Sequence, residues 1–222
     1  MSNPMVGKLI RKELSLNRPF MAGTLFAGLV SVGISLTGRV AFAVGGIMFV
    51  TALIAFAVTL PMFAIAGERK EKSRLFVLSL PISRGDYIWS KLIGVALTFL
   101  IPWTVLLVVV LTLVLTTPIP DGMVVYSTLL MMFAFTDFCV IACASMLIDR
   151  EGLMAVVIIF MNMSVTFFIV GVSALTRIGP ESTVDAVSWN PTALTILGSE
   201  IAVVVAAFFI LLWISRREPE IV

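Results

Sequence analysis

Two acidic residues stand inside long apolar stretches and are the side chains best placed to do chemistry. They are Asp137 and Glu200. A charge at bilayer depth costs roughly 2.5–3.5 kcal/mol on insertion scales, so such a residue usually faces a protein interior or water. We name both as candidate substrate-path residues, able to contact a cargo or to carry a proton. The structural alternative is a helix–helix hydrogen bond, with Thr136, Asn162 or Ser164 as partners for Asp137, an interfacial packing role for Glu200, or protonation in place.

The residue types give little support for Ser-His catalysis, metal binding or nucleotide binding by this chain. The chain has no histidine, which removes the base of a Ser-His triad and the commonest metal ligand. Neither a G-x-x-x-x-G-K-[ST] loop nor a G-x-S-x-G elbow occurs, so the chain cannot hold ATP phosphates through a P-loop of its own. Cys139 and Cys143 lie in an apolar run and are expected to pack as small hydrophobic residues. We expect no catalytic residue, no cofactor and no metal in this chain.

The elements that must position these residues are membrane-spanning helices. Of the 222 residues 60% are hydrophobic and 13% charged, which is more apolar surface than one soluble domain can bury. Six segments come close to or exceed the roughly 17 to 25 residues that cross hydrocarbon, and only helices satisfy every backbone amide there. The sequence therefore predicts an all-α polytopic membrane protein, a single transmembrane domain over residues 1–222. The predicted spans are 20–36, 40–66, 92–115, 123–148, 153–175 and 192–214.

The distribution of positive charge predicts the orientation. All but Arg39 and Arg177 of the 15 Lys and Arg lie in the N-terminal segment, the 67–91 loop, the turn at Arg150 or the C-terminus. Because cytoplasmic loops carry the excess of positive residues, both termini and the 67–91 loop are predicted to be cytoplasmic. The 176–190 connection is then extracellular, as a loop or a short helix. Trp89 and Trp213 at the inner interface, with Tyr126 and Trp189 at the outer, fit an aromatic belt.

The first nineteen residues form a second feature of the predicted cytoplasmic side. Apolar residues between Val6 and Leu16 fall near one helical face and basic residues mostly elsewhere, which is typical of an interfacial amphipathic helix. The alternative is that residues 1–19 are only the charged flank of the first span.

The long polar segment 67–91 is the feature around which the chain is organised. It surrounds a short apolar ridge with basic residues, and its composition predicts a helix that ends before Pro81 and a second helix that starts after Ser83 with Asp86 in its first turn. Leu75, Phe76 and Leu78 could insert into a groove of a partner protein. Alternatively, the ridge lies on the lipid interface.

These residues resemble the type-2 permeases of ATP-binding-cassette exporters. The resemblance rests on the string from Ile10 to Leu14, on Glu68 and Glu71, and above all on 78–84 (LSLPISR) with Tyr87 and Lys91. Members of that family have an amphipathic elbow helix, six spans and a coupling helix between spans two and three. A glycine is common in the family at the position of Lys72, so this chain departs from the pattern there.

The resemblance implies the following functional assignments. A cytoplasmic ATPase subunit, which binds ATP and Mg²⁺, docks on the coupling helix, and a second permease completes a homodimer or heterodimer. Cargo then passes between the permeases along spans one, two and five, and the scarcity of charge favours an amphipathic or hydrophobic peptide, lipid or drug. The implied partner-binding residues are Ser73, Arg74, Leu75, Phe76, Leu78, Leu80, Pro81 and Arg84.

Three functional hypotheses follow. The first is the permease of an ATP-driven exporter in the cytoplasmic membrane of a prokaryote, itself not an enzyme. The second is an ion-coupled secondary transporter that uses Asp137 and Glu200 as proton carriers and needs no ATPase. The third is a substrate-binding membrane module such as a vitamin-uptake component, which the charged 67–91 loop disfavours.

Overall fold

The computed structural model describes residues 4–67, 84–148, 150–174, 178 and 180–217, and these residues form helices and turns without a β-strand. Seven α-helices follow one another in this part of the chain, and six of them are long and apolar enough to cross a membrane. Their bounds are Pro4–Leu16 (α1), Arg18–Ser35 (α2), Arg39–Pro61 (α3), Arg84–Thr116 (α4), Met123–Leu147 (α5), Glu151–Ala174 (α6) and Pro191–Arg217 (α7). The predicted all-α polytopic fold is confirmed.

Proline and asparagine mark several of the helix boundaries. Pro19 lies in the first turn of α2, where its missing N–H has no intrahelical partner to lose. Asn190 caps α7, since its side-chain oxygen accepts a hydrogen bond from the backbone N–H of Ala193 at 2.8 Å. Pro61 ends the regular part of α3, which continues as a π-helical turn over Met62–Ala66. Proline cannot donate the usual backbone hydrogen bond, and the wider turn follows directly.

Helix α5 is the centre of the bundle. It buries most of its length, whereas fewer than a third of the residues in the apolar window of each other span are buried. Helices α3, α4, α6 and α7 all pack against it. The rings of Phe99 in α4 and Phe138 in α5 stack with centroids 4.2 Å apart, and the ring of Phe56 in α3 also stacks with that of Phe99, at 5.5 Å. The candidate residue Asp137 therefore lies on the most enclosed helix.

Two core clusters define the two ends of the bundle. One contains Ile65, Leu92, Met146 and Leu211, which places the end of α3, the start of α4, the end of α5 and the last part of α7 together. We call this the basic end, because the predicted cytoplasmic segments join it. The other cluster contains Val125, Val172, Ile178 and Ala193, and marks the distal end.

The connection between α6 and α7 closes the distal end. Its described part contains a 3₁₀ turn, Glu181–Thr183. The backbone oxygen of Val184 accepts a hydrogen bond from the N–H of Gly122 at 2.9 Å, which ties the connection to the start of α5. Residues 175–177 and 179 of the predicted 176–190 region and its flank lie outside the described residues.

Candidate functional site

The predicted coupling segment lies almost wholly outside the described residues. This holds for the partner-binding residues Ser73, Arg74, Leu75, Phe76, Leu78, Leu80 and Pro81. Arg84 is the first residue of α4, so the helix begins directly after the segment and continues without interruption to Thr116. Any movement of the segment would therefore act on the end of a helix that crosses the whole bundle.

A buried ion pair joins α1 to this same part of α4. The Nζ of Lys91 donates a hydrogen bond to Oε1 of Glu13 at 2.7 Å, and the two side chains are 3% and 6% exposed. The basic residues Lys8, Arg11 and Lys12 of α1 are exposed, so the face that α1 turns to the bundle carries its carboxylate. The contact between Nζ and Oε1 is short, while the other oxygen of Glu13, Oε2, is buried without a hydrogen-bond partner among the described residues, so Lys91 is the cation that compensates the buried carboxylate.

The absence of a side chain at Gly94 allows the two helices to meet. A Cβ placed there would lie 2.8 Å from Cβ and 2.9 Å from Cγ of Glu13, well inside normal contact distance. Gly94 is one helical turn from Lys91, so both residues face α1 from the same side of α4. Just after α1, the side-chain amide of Asn17 donates a hydrogen bond to the backbone oxygen of Glu13 at 3.0 Å. This bond stabilises the C-terminal end of α1.

Asp137 is enclosed at the centre of the bundle. It is 0% exposed, and neither carboxylate oxygen has a hydrogen-bond partner among the described residues. Its helix neighbours Ala134 and Ile141, three and four residues away, pack against α3 and α6, so Asp137 faces the junction of these helices.

The three partners considered for Asp137 are committed elsewhere. The Thr136 hydroxyl donates to the backbone oxygen of Met132, the Asn162 amide to that of Ile158, and the Ser164 hydroxyl to that of Met161. Each of these bonds stays within the residue's own helix. The interhelical hydrogen bond considered from the sequence therefore does not form with any of them.

Glu200 occupies a different place from Asp137. It lines a groove of about 450 Å³ between α5, α6 and α7, and it is 5% exposed. Thr136 lines the same groove, whereas its neighbour Asp137 does not. Asp137 and Glu200 therefore do not share this groove, which a direct proton relay through it would require.

A larger cavity of about 560 Å³ lies toward the distal half of the bundle. Helices α2 to α6 all contribute to its lining, which is largely apolar and includes Phe42, Phe49, Leu113, Met131 and Ile169. Asp137 and Glu200 do not line it. Its walls include the three spans along which the family resemblance routes a cargo, here α2, α3 and α6.

The chain matches a known protein family along most of its length. Residues 8–216 match the family model described as ABC-2 family transporter protein. The chain belongs to this family. No curated protein and no solved structure gives a significant match.

Membership gives the ABC-2 protein its general role. It is a transmembrane subunit of an ATP-binding-cassette transporter, and its six spans are those of a multi-pass membrane protein. The match begins within α1 and ends within α7, so the elements at the basic end belong to the family domain as much as the spans do.

The ion pair of this ABC-2 protein could not be deduced from the sequence as a contact. Glu13 and Lys91 both stand in the strings that carry the family resemblance, but 77 residues separate them. The available signal was that Glu13 is the first acidic residue of the chain and that no other precedes Glu68. The isolated acid Glu13 indicates that a cationic partner is present, but only the structure shows that this partner is Lys91.

Proposed function

We propose that this ABC-2 protein is the permease of an exporter that moves an amphipathic or hydrophobic cargo, such as a peptide, lipid or drug, across the cytoplasmic membrane of a prokaryote. The energy comes from ATP, bound with Mg²⁺ and hydrolysed by a separate cytoplasmic ATPase. The observation that carries the proposal is the family match over 8–216 in a chain without a P-loop. Because the chain cannot cradle nucleotide phosphates itself, a partner must do so.

The ATPase docks on the segment 67–91 through the apolar ridge of Leu75, Phe76 and Leu78. Its movement on ATP binding is delivered to the start of α4 at Arg84. Lys91 and Gly94 lie two to three turns further along and hold α1 through Glu13. The docking segment thus acts on α1 and α4 together, and the apolar ridge and the ion pair form one transmission unit.

The orientation needed for this arrangement agrees with the charges. Arg11, Lys12, Arg216 and Arg217 belong to elements at the basic end, and the positive-inside rule makes that end cytoplasmic. Trp89 and Trp213, 47% and 49% exposed at this end, suit a membrane–water boundary. Both termini and the docking segment then face the ATPase.

The character of the larger cavity supports the proposed class of cargo. The cavity of about 560 Å³ that helices α2 to α6 line is mostly apolar, which suits the apolar part of an amphipathic molecule. A second permease, identical or related, completes the path along α2, α3 and α6.

Co-purification with the ATPase tests the proposal. Leu78→Asp, or separately Phe76→Asp, places a charge on the apolar ridge and should reduce ATPase recovered with the detergent-solubilised permease at least tenfold. Leu16→Asp is the matched control, because Leu16 is 62% exposed at the end of α1, outside the docking segment. Equal ATPase recovery with Leu78→Asp and Leu16→Asp would contradict docking on this ridge.

A further inference from the structure

The groove that contains Glu200 has mixed chemical character. Its floor is α5 and its two walls are α6 and α7, and its volume is about 450 Å³. Its lining includes Phe133 and Thr136 from α5, Phe168 and Gly171 from α6, and Ser199 and Glu200 from α7. A single carboxylate therefore lies among aromatic, hydroxyl and glycine positions.

The carboxylate of Glu200 has unsatisfied hydrogen-bonding capacity. Both of its oxygens are buried and have no hydrogen-bond partner among the described residues. The two hydroxyls in the groove do not serve it, since Ser199 donates to the backbone oxygen of Ile196 at 2.7 Å and Thr136 to that of Met132 at 3.0 Å. A buried carboxylate without donors is costly unless something else supplies them.

The helices around the groove supply no cation of their own at this depth. Helices α5 and α6 contain no Lys or Arg, and in α7 only Arg216 and Arg217 occur. Arg216 lies sixteen positions after Glu200, which is roughly 24 Å along a helix. Neither arginine can therefore neutralise Glu200 from within α7.

The walls of the groove suit an organic cation. The rings of Phe133 and Phe168 stack with centroids 4.3 Å apart, and Phe167 stands 72% exposed at the rim. Aromatic faces attract cations through the ring quadrupole, more strongly where water is excluded. A Cβ at Gly171 would meet nothing within 4 Å, so the wall of α6 is open at that point.

We propose that this groove binds an amphipathic organic cation, whose positive group pairs with the Glu200 carboxylate while its apolar part lies against the phenylalanines. Charge complementarity selects this occupant over a neutral lipid chain, which would leave the carboxylate unpaired. The proposal deepens the proposed function by naming the charge class of a cargo, and it rests on that function only for the transport step.

Equilibrium dialysis with labelled tetraphenylphosphonium tests binding to the purified full chain in neutral detergent. Saturable binding is expected, with affinity at least tenfold weaker in Glu200→Gln. Asp185→Asn is the matched control, since it removes a carboxylate outside the groove, and its affinity should stay within twofold of wild type. Triphenylphosphine oxide, a neutral probe of similar shape, should bind wild type and Glu200→Gln alike.

A second pair of variants tests the open wall without touching the carboxylate. Gly171→Leu adds a side chain to the lining of the groove and should weaken tetraphenylphosphonium binding at least fivefold. Gly198→Leu is the control, because it adds the same side chain to α7 at an open position that does not line the groove. Its affinity should remain within twofold of wild type.

A labelling experiment on the native protein decides the matter even if a variant fails to fold. Dicyclohexylcarbodiimide modifies carboxyl groups in apolar settings, and mass spectrometry locates the adduct. Tetraphenylphosphonium should protect Glu200 from modification, and triphenylphosphine oxide should not.

Three results would overturn the proposal: no saturable binding of tetraphenylphosphonium to wild type, equal affinity in Glu200→Gln, or no protection of Glu200. The ATPase is absent from these experiments, so such a failure would leave ATPase docking on the 67–91 segment standing. Conversely, if the docking variants did not reduce ATPase recovery, the cation-binding measurements on the chain alone would be unaffected.

Discussion

At the level of single residues, the chain contains two kinds of buried charge with different consequences. Glu13 and Lys91 form a pair at 2.7 Å between two helices. Asp137 and Glu200 are buried with both carboxylate oxygens lacking partners among the described residues. The sequence alone marks Asp137 and Glu200 as unusual, because each is an acidic residue inside a long apolar stretch. Their surroundings were not predictable, because the neighbours come from helices distant in sequence.

A mutant cycle measures what the Glu13–Lys91 pair contributes. Lys91→Met leaves a buried carboxylate without its partner and should lower the free energy of unfolding by about 3 kcal/mol. The double variant Glu13→Gln with Lys91→Met removes both charges and should recover most of that loss. Unfolding of the purified chain in detergent is the measurement.

The control for this cycle is Lys8→Met, the same substitution at an exposed position of α1. It should change the free energy of unfolding by less than about 0.5 kcal/mol. A cost for Lys91→Met as small as that for Lys8→Met would show that the pair does not hold α1 in place.

At the level of elements, the ends of the spans were predicted closely. The fourth span was expected over 123–148 and forms α5 over Met123–Leu147, and the second was expected over 40–66 and ends with the π turn at Ala66. The ends of a span depend on local hydropathy and on helix-breaking residues, so they can be predicted from the sequence alone. Helix pairing depends on contacts between distant residues. Gly28 of α2, for example, faces the side chain of Leu106 in α4, which lies 78 positions further along the chain.

The α2–α3 hairpin offers a test in two adjacent glycines. A Cβ at Gly45 would lie 2.5 Å from the backbone oxygen of Ser31 and 2.7 Å from the backbone nitrogen of Ser35, so it would force α2 and α3 apart. Gly45→Ala should therefore lower the free energy of unfolding by about 2 kcal/mol or more, although alanine favours helices.

Gly46→Ala is the matched control, because a Cβ at Gly46 meets nothing within 4 Å. This change should be neutral or stabilise the chain by up to about 1 kcal/mol through helix propensity. Thermal or denaturant unfolding of both variants in the same detergent gives the comparison. Equal effects at the two positions would mean that α2 and α3 are not in close contact at Gly45.

At the level of the whole molecule, the buried helix α5 packs against four of the other five spans, and the outer faces of the bundle are apolar. Phe160 and Phe167 of α6 and Phe209 of α7 are each about two thirds or more exposed, which suits a bilayer as the surrounding solvent. Asp137 on the central helix and Glu200 in the lateral groove line no common cavity among those described. This separation gives no support to protons that pass directly from one acid to the other through either cavity.

The source of energy can be tested in vesicles that contain the permease and its ATPase, with a fluorescent hydrophobic peptide as cargo. Accumulation should require ATP and should stay within twofold of its rate when a protonophore dissipates the proton gradient, because under the proposed function ATP hydrolysis by the partner subunit supplies the energy. Vesicles with the permease alone and an imposed proton gradient provide the comparison and should accumulate no peptide. If that gradient alone drove accumulation, and Asp137→Asn abolished it, the ion-coupled hypothesis would replace the ATP-driven one.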